Sequence, residues 1–298
     1  MRRVLLWFRQ DLRLHDNEAL QDALRIADEV IPVYIFDTRI WQGHTKTGFP
    51  KIGPHRARFV LESVAALRDS LRSIGSDLIV RIGISEDEIF DIARQVRSSN
   101  VFCNRDRTQE EVDVQDALEQ KLWTIGQELK YSRGRMLYYT ADLPFPVNQT
   151  PDTFNAFRKE VEKIVQIRPP LPVTATKPTW SCDIEPGELP TLSAFGIASI
   201  GNSGQSCVGG EAEGLNRAKN LIWNSSSAGT LKTAVEDQFT ADLNSICSPW
   251  LSSGSLSPKK LYEELRTFEE ENGANELTHN LFTDLLLRDF HRFIGKKY

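Results

Sequence analysis

Arg288, Arg292 and Lys296 recur at intervals of four near the end of the sequence, with Lys297 beside the last of them. On a helix that spacing gathers them into one basic stripe, an arrangement suited to the phosphates of a nucleic acid. The bland alternative is a solvated face whose cations suit a helix C-terminus. Metal chemistry finds no such pattern. Cys103, Cys182, Cys207 and Cys247 are scattered without a C-x-x-C pair, and the five histidines do not recur at ligand spacing. Zinc, an iron–sulfur cluster and a disulfide framework are therefore not expected. Neither G-x-G-x-x-G nor G-x-x-x-x-G-K-[ST] occurs, so the usual glycine cradle for NAD or ATP is absent.

The elements that must position these residues are legible in the hydropathy pattern. Short β-rich apolar runs at 4–8, 30–36, 78–82, 101–103 and 129–132 read as strands, separated by segments of helical period such as 56–71 and 109–127. Helices between strands predict an α/β fold with a doubly wound parallel five-stranded sheet. A ligand is then expected outside the carboxyl ends of the strands, near Arg9, Asp37, Gly83 and Asn104. From 168 to 210 the sequence turns rich in Pro, Ser, Thr and Gly, which reads as an extended connection. Beyond it apolar residues recur at three and four, as in Leu215, Ala218, Leu221 and Ile222 or Leu261, Leu265 and Phe268. Ser248-Pro249 and Ser257-Pro258 each carry a helix-start signature, an N-cap hydroxyl before a first-turn proline. The expected organisation is an α/β domain over 1–167, a Pro-rich linker over 168–208 and a partial all-α region over 209–298.

Composition sets the outer limits. The chain has 298 residues, 36 Lys and Arg against 41 Asp and Glu, a net charge of −5 and 40% apolar residues. Mean hydropathy is −0.37. This is a globular mixture without a polybasic arm, so any nucleic-acid binding must come from a local patch such as the stripe. Apolar runs such as 30–36 fall far short of a membrane span, and the first residues lack the pattern of a signal peptide, so a cytoplasmic location without a membrane partner is expected.

The opening run Phe8-Arg9-Gln10-Asp11-Leu12-Arg13-Leu14-His15-Asp16-Asn17 resembles the F-R-x-D-L-R-x-x-D-N opening of the photolyase/cryptochrome family. Further segments follow in family order: Lys46-Thr47-Gly48 leading into Arg56-Ala57-Arg58-Phe59, then Asp142-Leu143-Pro144-Phe145-Pro146, and Phe157-Arg158-Lys159-Glu160. These are most similar to DASH-type cryptochromes. Past the Pro-rich stretch, Gly209-Gly210-Glu211-Ala212-Glu213-Gly214-Leu215, Ser248-Pro249-Trp250-Leu251 and Arg288-Asp289-Phe290 resemble landmarks of that family's helical flavin domain. Tyr298 falls short of the rest of that domain, so the sequence reads as a C-terminally truncated, short photolyase-like protein.

The resemblance implies FAD held in the helical region, absorption of blue light, and electron transfer to a pyrimidine dimer extruded from damaged, possibly single-stranded DNA. The family run that wraps the FAD phosphates corresponds to Asn244, Ser245, Ile246, Cys247 and Ser248, with Ile246 where the family has a cation, which predicts a weakened hold on FAD. The family's lesion-side Glu and Trp correspond to Asp284 and Leu287. Asp284 and Trp250, the latter inside a matching motif, are the catalytic candidates, while the other tryptophans read as core. An antenna pigment such as a folate or deazaflavin is implied near Phe36, Asp37, Asn104 and Asp106. Arg288, Arg292, Lys296 and Lys297 become the candidate DNA contacts. Three readings stand side by side. One is a deoxyribodipyrimidine photolyase-like lyase, a flavoprotein with an incomplete FAD site. Another is a non-catalytic blue-light, antenna or nucleic-acid-binding module. The third is one half of a split photolyase, completed by a second helical chain.

Overall fold

Five strands form in the computed structural model: β1 (Arg3–Phe8), β2 (Glu29–Asp37), β3 (Ile79–Gly83), β4 (Asn100–Asn104) and β5 (Glu128–Ser132). Of these β1, β2 and β4 are apolar-rich and buried on both faces, and they are flanked by the partly exposed β3 and β5. The structure describes residues 1–172, 183–198, 207–224 and 243–297. The strands lie in the order β3-β2-β1-β4-β5, and every neighbouring pair is parallel. Helices α1 (Glu18–Ile26) and α3 (Pro54–Ser73) cover one face, and α4 (Ser85–Val96) and α5 (Gln109–Trp123) cover the other. The short α2 (Thr38–Trp41) follows β2 directly. The expected doubly wound α/β sheet is thus the observed one. Because the chain builds outward from β1 in both directions, a crevice opens at the carboxyl ends of the central strands.

Part of the Pro-rich stretch has a structural task. Val80 N donates to the Pro186 carbonyl at 2.7 Å, and the Arg81 guanidinium donates to the carbonyls of Glu185 (2.8 Å) and Pro186 (3.2 Å). This piece covers the open edge of β3, which would otherwise offer unpaired backbone groups. Residues 173–182 and 199–206 of the expected linker, Cys182 among them, lie outside the described residues.

The second half is helical: α6 (Phe154–Ile164), α7 (Glu211–Lys219) running into a π-helical turn at Asn220–Asn224, α8 (Leu243–Ser253), α9 (Pro258–Asn272) and α10 (Glu276–Lys297). Ser257-Pro258 starts α9 as expected, with the Ser257 hydroxyl accepting from Lys259 N at 3.1 Å. Ser248-Pro249 does not start a helix. α8 already begins at Leu243 and carries Pro249 in its interior. The buried Trp250 ring makes up for the lost backbone bond: it meets Phe59 edge-on at 5.4 Å, and its Nε1 donates to the Val208 carbonyl at 3.1 Å. The helical core also takes in Met136, Leu137, Tyr138, Phe157 and Val161 from before the Pro-rich stretch, packed with Leu265, Leu285, Phe290 and Phe293.

The family-like opening run joins sheet and helices. Arg13, 1% exposed, donates to the carbonyls of His15 (3.0 Å), Gly254 (2.8 Å), Asp16 (2.9 Å) and Gly134 (2.8 Å). Gly254 has a φ of 74°, and a Cβ there would sit 2.0 Å from the Gln10 carbonyl, so only glycine lets α8 end this close to the opening turn. Glu211 at the start of α7 accepts from Leu14 N (2.7 Å) and His15 N (3.1 Å), and its Oε1 lies 2.6 Å from His15 Nδ1. His15 Nε2 accepts from Ser257 N at 3.2 Å, which assigns the ring proton to Nδ1.

Two outcomes follow from this joint. Arg13→Met leaves four buried carbonyls without a donor and lowers unfolding stability by about 3 kcal/mol or more, read from the urea midpoint. Burial pushes the Glu211 carboxyl up, but the His15 ring and the two amides outweigh it and hold the group below its ordinary range. A depressed carboxylate adds stability that is present above its unfolded value of 4.5 and is lost as the pH falls through the folded value. Glu211→Gln is therefore expected to lower Tm at pH 7 and to flatten its decline as the pH falls below 4.5, in thermal scans at successively lower pH.

Candidate functional site

A cavity of about 1020 Å³ lies at the carboxyl ends of β1 and β2 and is walled on its far side by Ser248, Pro249, Ser252 and Ser253 of α8. Trp7, packed in the core against α4 and α5, borders it at the end of β1, and the turn into α2 brings exposed Ile40 and buried Trp41, so part of its lining is aromatic and aliphatic. The Arg9 guanidinium stacks over the Trp7 ring at 4.5 Å. Charged side chains of both signs rim the opening. Exposed Arg56 and His55 stand at the first turn of α3, and Lys51 is paired with Glu110 at 2.8 Å. Apolar rings beside a rim that carries the exposed Arg56 cation are surfaces that pack against flat apolar groups and attract anions.

The four antenna candidates separate in depth. Asp37 lines the cavity and caps α2, accepting from Arg39 N and Nε (both 2.9 Å) and from the Ser85 hydroxyl (2.7 Å). Burial pushes its carboxyl up, and the Arg39 and Ser85 bonds more than reverse this, leaving it lowered. Asp106 also lines the cavity, ion-paired with Arg135 and 3.1 Å from Arg9 Nη1. Phe36 lies beneath, fully buried against Tyr34, Trp41 and Phe195. Asn104 is buried too, donating to Asp11 Oδ2 at 2.6 Å and accepting from Gly134 N at 3.0 Å.

The helical candidates are likewise divided. The backbones of Asn244, Ser245 and Ile246 belong to α8, and their side chains lie outside the described residues. Cys247 is buried, with its thiol pushed up to about 11 by desolvation, while exposed Ser248 opens onto the crevice. Trp250 is 3% exposed and packs so tightly that a Cβ on Gly214 would lie 2.8 Å from its ring. Asp284 is half-buried on α10.

The basic stripe turns gradually from core to solvent. Arg288 donates to the carbonyls of Arg135 (3.0 Å) and Leu251 (3.4 Å), and burial pushes its guanidinium down to about 9. Arg292 reaches the Arg135 carbonyl at 3.5 Å, Lys296 is exposed, and Lys297 is paired with Asp152. Arg288 and Lys297 are thus engaged within the protein. Lys296 instead lies near Arg105, Arg107 and Arg133 from the loops after β4 and β5, and Arg292 lies near Arg107, neighbours which no sequence spacing had marked. Among the described residues no group of His, Cys, Asp or Glu could hold a metal, and no helix is long and apolar enough to cross a membrane.

A family model described as DNA photolyase matches residues 4–177. The chain is 38% identical to Cryptochrome DASH of Gloeobacter violaceus over 99% of its own length and 59% of that protein's. It is 36% identical to Blue-light photoreceptor PHR2 of Arabidopsis thaliana, covering 100% of this chain and 70% of that one. The crystal structure of a Synechocystis sp. PCC6803 cryptochrome superimposes with a TM-score of 0.89 at 37% identity, covering 100% of this chain and 62% of the other. A bacterial class III photolyase from Agrobacterium tumefaciens gives a TM-score of 0.79 at 22% identity, a likeness of fold alone. The chain spans about three-fifths of the cryptochromes it matches.

The burial of the thiols has a direct readout. Cys103 is fully buried, with its thiol pushed up to about 12 by desolvation, and Cys247 is nearly so. In the native protein at pH 8, exposed Cys207 is expected to react with a disulfide reagent within minutes, and Cys103 and Cys247 only on unfolding, followed by mass spectrometry of the labelled peptides.

Proposed function

This chain belongs to the DNA photolyase family, and from that premise we propose that it is a light-absorbing, nucleic-acid-binding protein that serves the repair of ultraviolet-induced pyrimidine dimers. The observation that carries the reading is the partly aromatic cavity of about 1020 Å³ at the carboxyl ends of β1 and β2. A folate or deazaflavin fits it by chemistry: a fused ring lies against Trp7, Ile40 and Trp41, and a carboxylate or phosphate meets Arg56. Arg39 is itself bound on both sides, to Asp37 and Glu86, so it holds the turn into α2 rigid beside that ring. Damaged DNA, single-stranded or locally opened, meets Arg292 and Lys296.

In this reading FAD supplies the photochemical electron when bound. Of the run 244–248 only the side chains of Cys247 and Ser248 are described, and of these Ser248 offers its hydroxyl to the crevice while Cys247 is buried, so no step is assigned to that cofactor in this chain. A second reading, a binding or antenna module without chemistry, is favoured by Trp250 being locked in the core and by Leu287 lacking a flat ring to stack on an extruded base.

Two measurements separate these outcomes. Fluorescence titration with a folate is expected to give saturable binding, and Ile40→Asp, which places a charge on the apolar part of the lining, to weaken it by about tenfold or more. Absence of binding in the parent protein rejects the pigment site. Illumination of a dimer-containing oligonucleotide, with and without added flavin, is expected to reduce the dimer content. Unchanged dimers under both conditions reject the catalytic part and leave the module.

A further inference from the structure

Five cations gather where the loop after β4, the loop after β5 and the last turns of α10 meet: Arg105, Arg107, Arg133, Arg292 and Lys296. Among the described residues none of the five forms an ion pair, although the neighbouring Arg9, Arg135, Arg288 and Lys297 all do. The Arg107 guanidinium lies 5.7 Å over the Phe293 ring and donates Nη2 to the Thr140 hydroxyl at 3.0 Å. Its Nη1 is buried and has no partner. Phe293 follows Arg292 and precedes Lys296 by three on α10, so Arg107 is set among the stripe's outer members. Arg105 stands 5.2 Å over the Tyr131 ring, which fixes its position while leaving its donors in solvent.

Their charges act on one another. Burial and then Arg107, Arg105 and Arg133 push the Lys296 ammonium down, and burial and then Arg292, Arg133 and Arg105 do the same to Arg107. Three acidic groups stand beside them without forming an ion pair with any of the five: Asp289 acts on Arg292 and Arg107, Glu111 acts on Arg292, and Glu18 accepts from Arg133 N at 2.7 Å. A protein of net charge −5 that leaves five like charges together carries a repulsion that an anion relieves.

We propose that Arg105, Arg107, Arg133, Arg292 and Lys296 form a site that grips the phosphodiester backbone of a nucleic acid, with the first three as contacts outside the helical stripe. Exposed Arg105, Arg133 and Lys296 come from three separate segments around half-buried Arg107 and Arg292, so consecutive phosphates meet cations from different directions. Guanidinium forks match phosphate oxygens bidentately, and four of the five are arginines. Strand-end alternation ties the site to the crevice: Asp106, between Arg105 and Arg107, turns into the crevice and pairs with Arg9 and Arg135, and the Arg135 carbonyl accepts from Arg292. This inference rests on the nucleic-acid-binding reading above and adds where and by which residues the backbone is held.

The test is a fluorescence-anisotropy titration of a labelled single-stranded oligonucleotide by the full chain, repeated across NaCl concentrations. The double variant Arg105→Glu with Arg133→Glu is expected to bind at least about tenfold more weakly and to lose roughly 1.5 from the slope of log K against log salt, near 0.7 for each lost phosphate contact. Its Tm is expected to match the parent's, because both side chains are exposed. Should it fail to fold, the neutral pair Arg105→Gln with Arg133→Gln takes its place, with the same slope change expected. Arg94→Glu with Arg97→Glu, the same charge change at the far end of α4, is the control and leaves affinity and slope nearly unaltered. Equal weakening by the control, or unchanged binding in the cluster variant, overturns the site while nucleic-acid binding itself stands. A parent protein without salt-dependent binding overturns both.

Discussion

The buried guanidinium of Arg13 is the constraint on which the rest of the molecule depends. A charge removed from water needs compensation in kind, and here it comes from four carbonyl dipoles, those of His15, Asp16, Gly134 and Gly254. Two of these acceptors belong to the opening turn, one to the loop after β5 and one to the end of α8. A single side chain therefore fixes the sheet and the helices at one relative position. Around it, Asp16 binds the Ser257 hydroxyl and lies 3.5 Å from Lys259, which ties the start of α9 to the same turn. Glu211 does so for α7.

The two functional surfaces both depend on that fixed position. The crevice has one wall on the sheet and the other on α8, so its width is set by how closely Gly254 lets α8 end against Gln10. The cation cluster likewise draws Arg105, Arg107 and Arg133 from the sheet loops and Arg292 and Lys296 from α10. Asp106 lines the crevice and pairs with Arg135, whose carbonyl accepts from Arg292, so this pair links the two surfaces. Pigment binding and phosphate binding, as proposed, would thus be separate events on one rigid frame, in a chain that covers about three-fifths of the cryptochromes it resembles.

Much of the fold was legible because strand and helix periods are local. Residues 4–8 and 129–132 read as strands from composition alone, and Ser257-Pro258 announced α9 through a bond made within one turn. Ser248-Pro249 carries the same local signature, yet α8 runs through it, because the Trp250 ring finds Phe59 and Val208, partners far away in sequence. The site followed the same division. Asp37 and Asp106 were placed at strand ends, where the cavity is. Phe36 and Asn104, in the same stretches, lie below it because strand alternation turns one toward the core and the Asp11 bond takes the other.

The amino-acid order by itself determined the sheet, the end of it at which the cavity opens, the helical second half and the family, since each is written in neighbouring residues or in contiguous motifs. Only the tertiary structure decided which cations are available. Arg288, Arg292, Lys296 and Lys297 look equivalent on a helical wheel, but Arg288 is consumed by two carbonyls and Lys297 by Asp152. The partners that replace them, Arg105, Arg107 and Arg133, lie more than 150 residues earlier in the chain. Charge is a property of a residue, whereas a charged site is a property of distances, and those distances exist only once the chain has closed around Arg13.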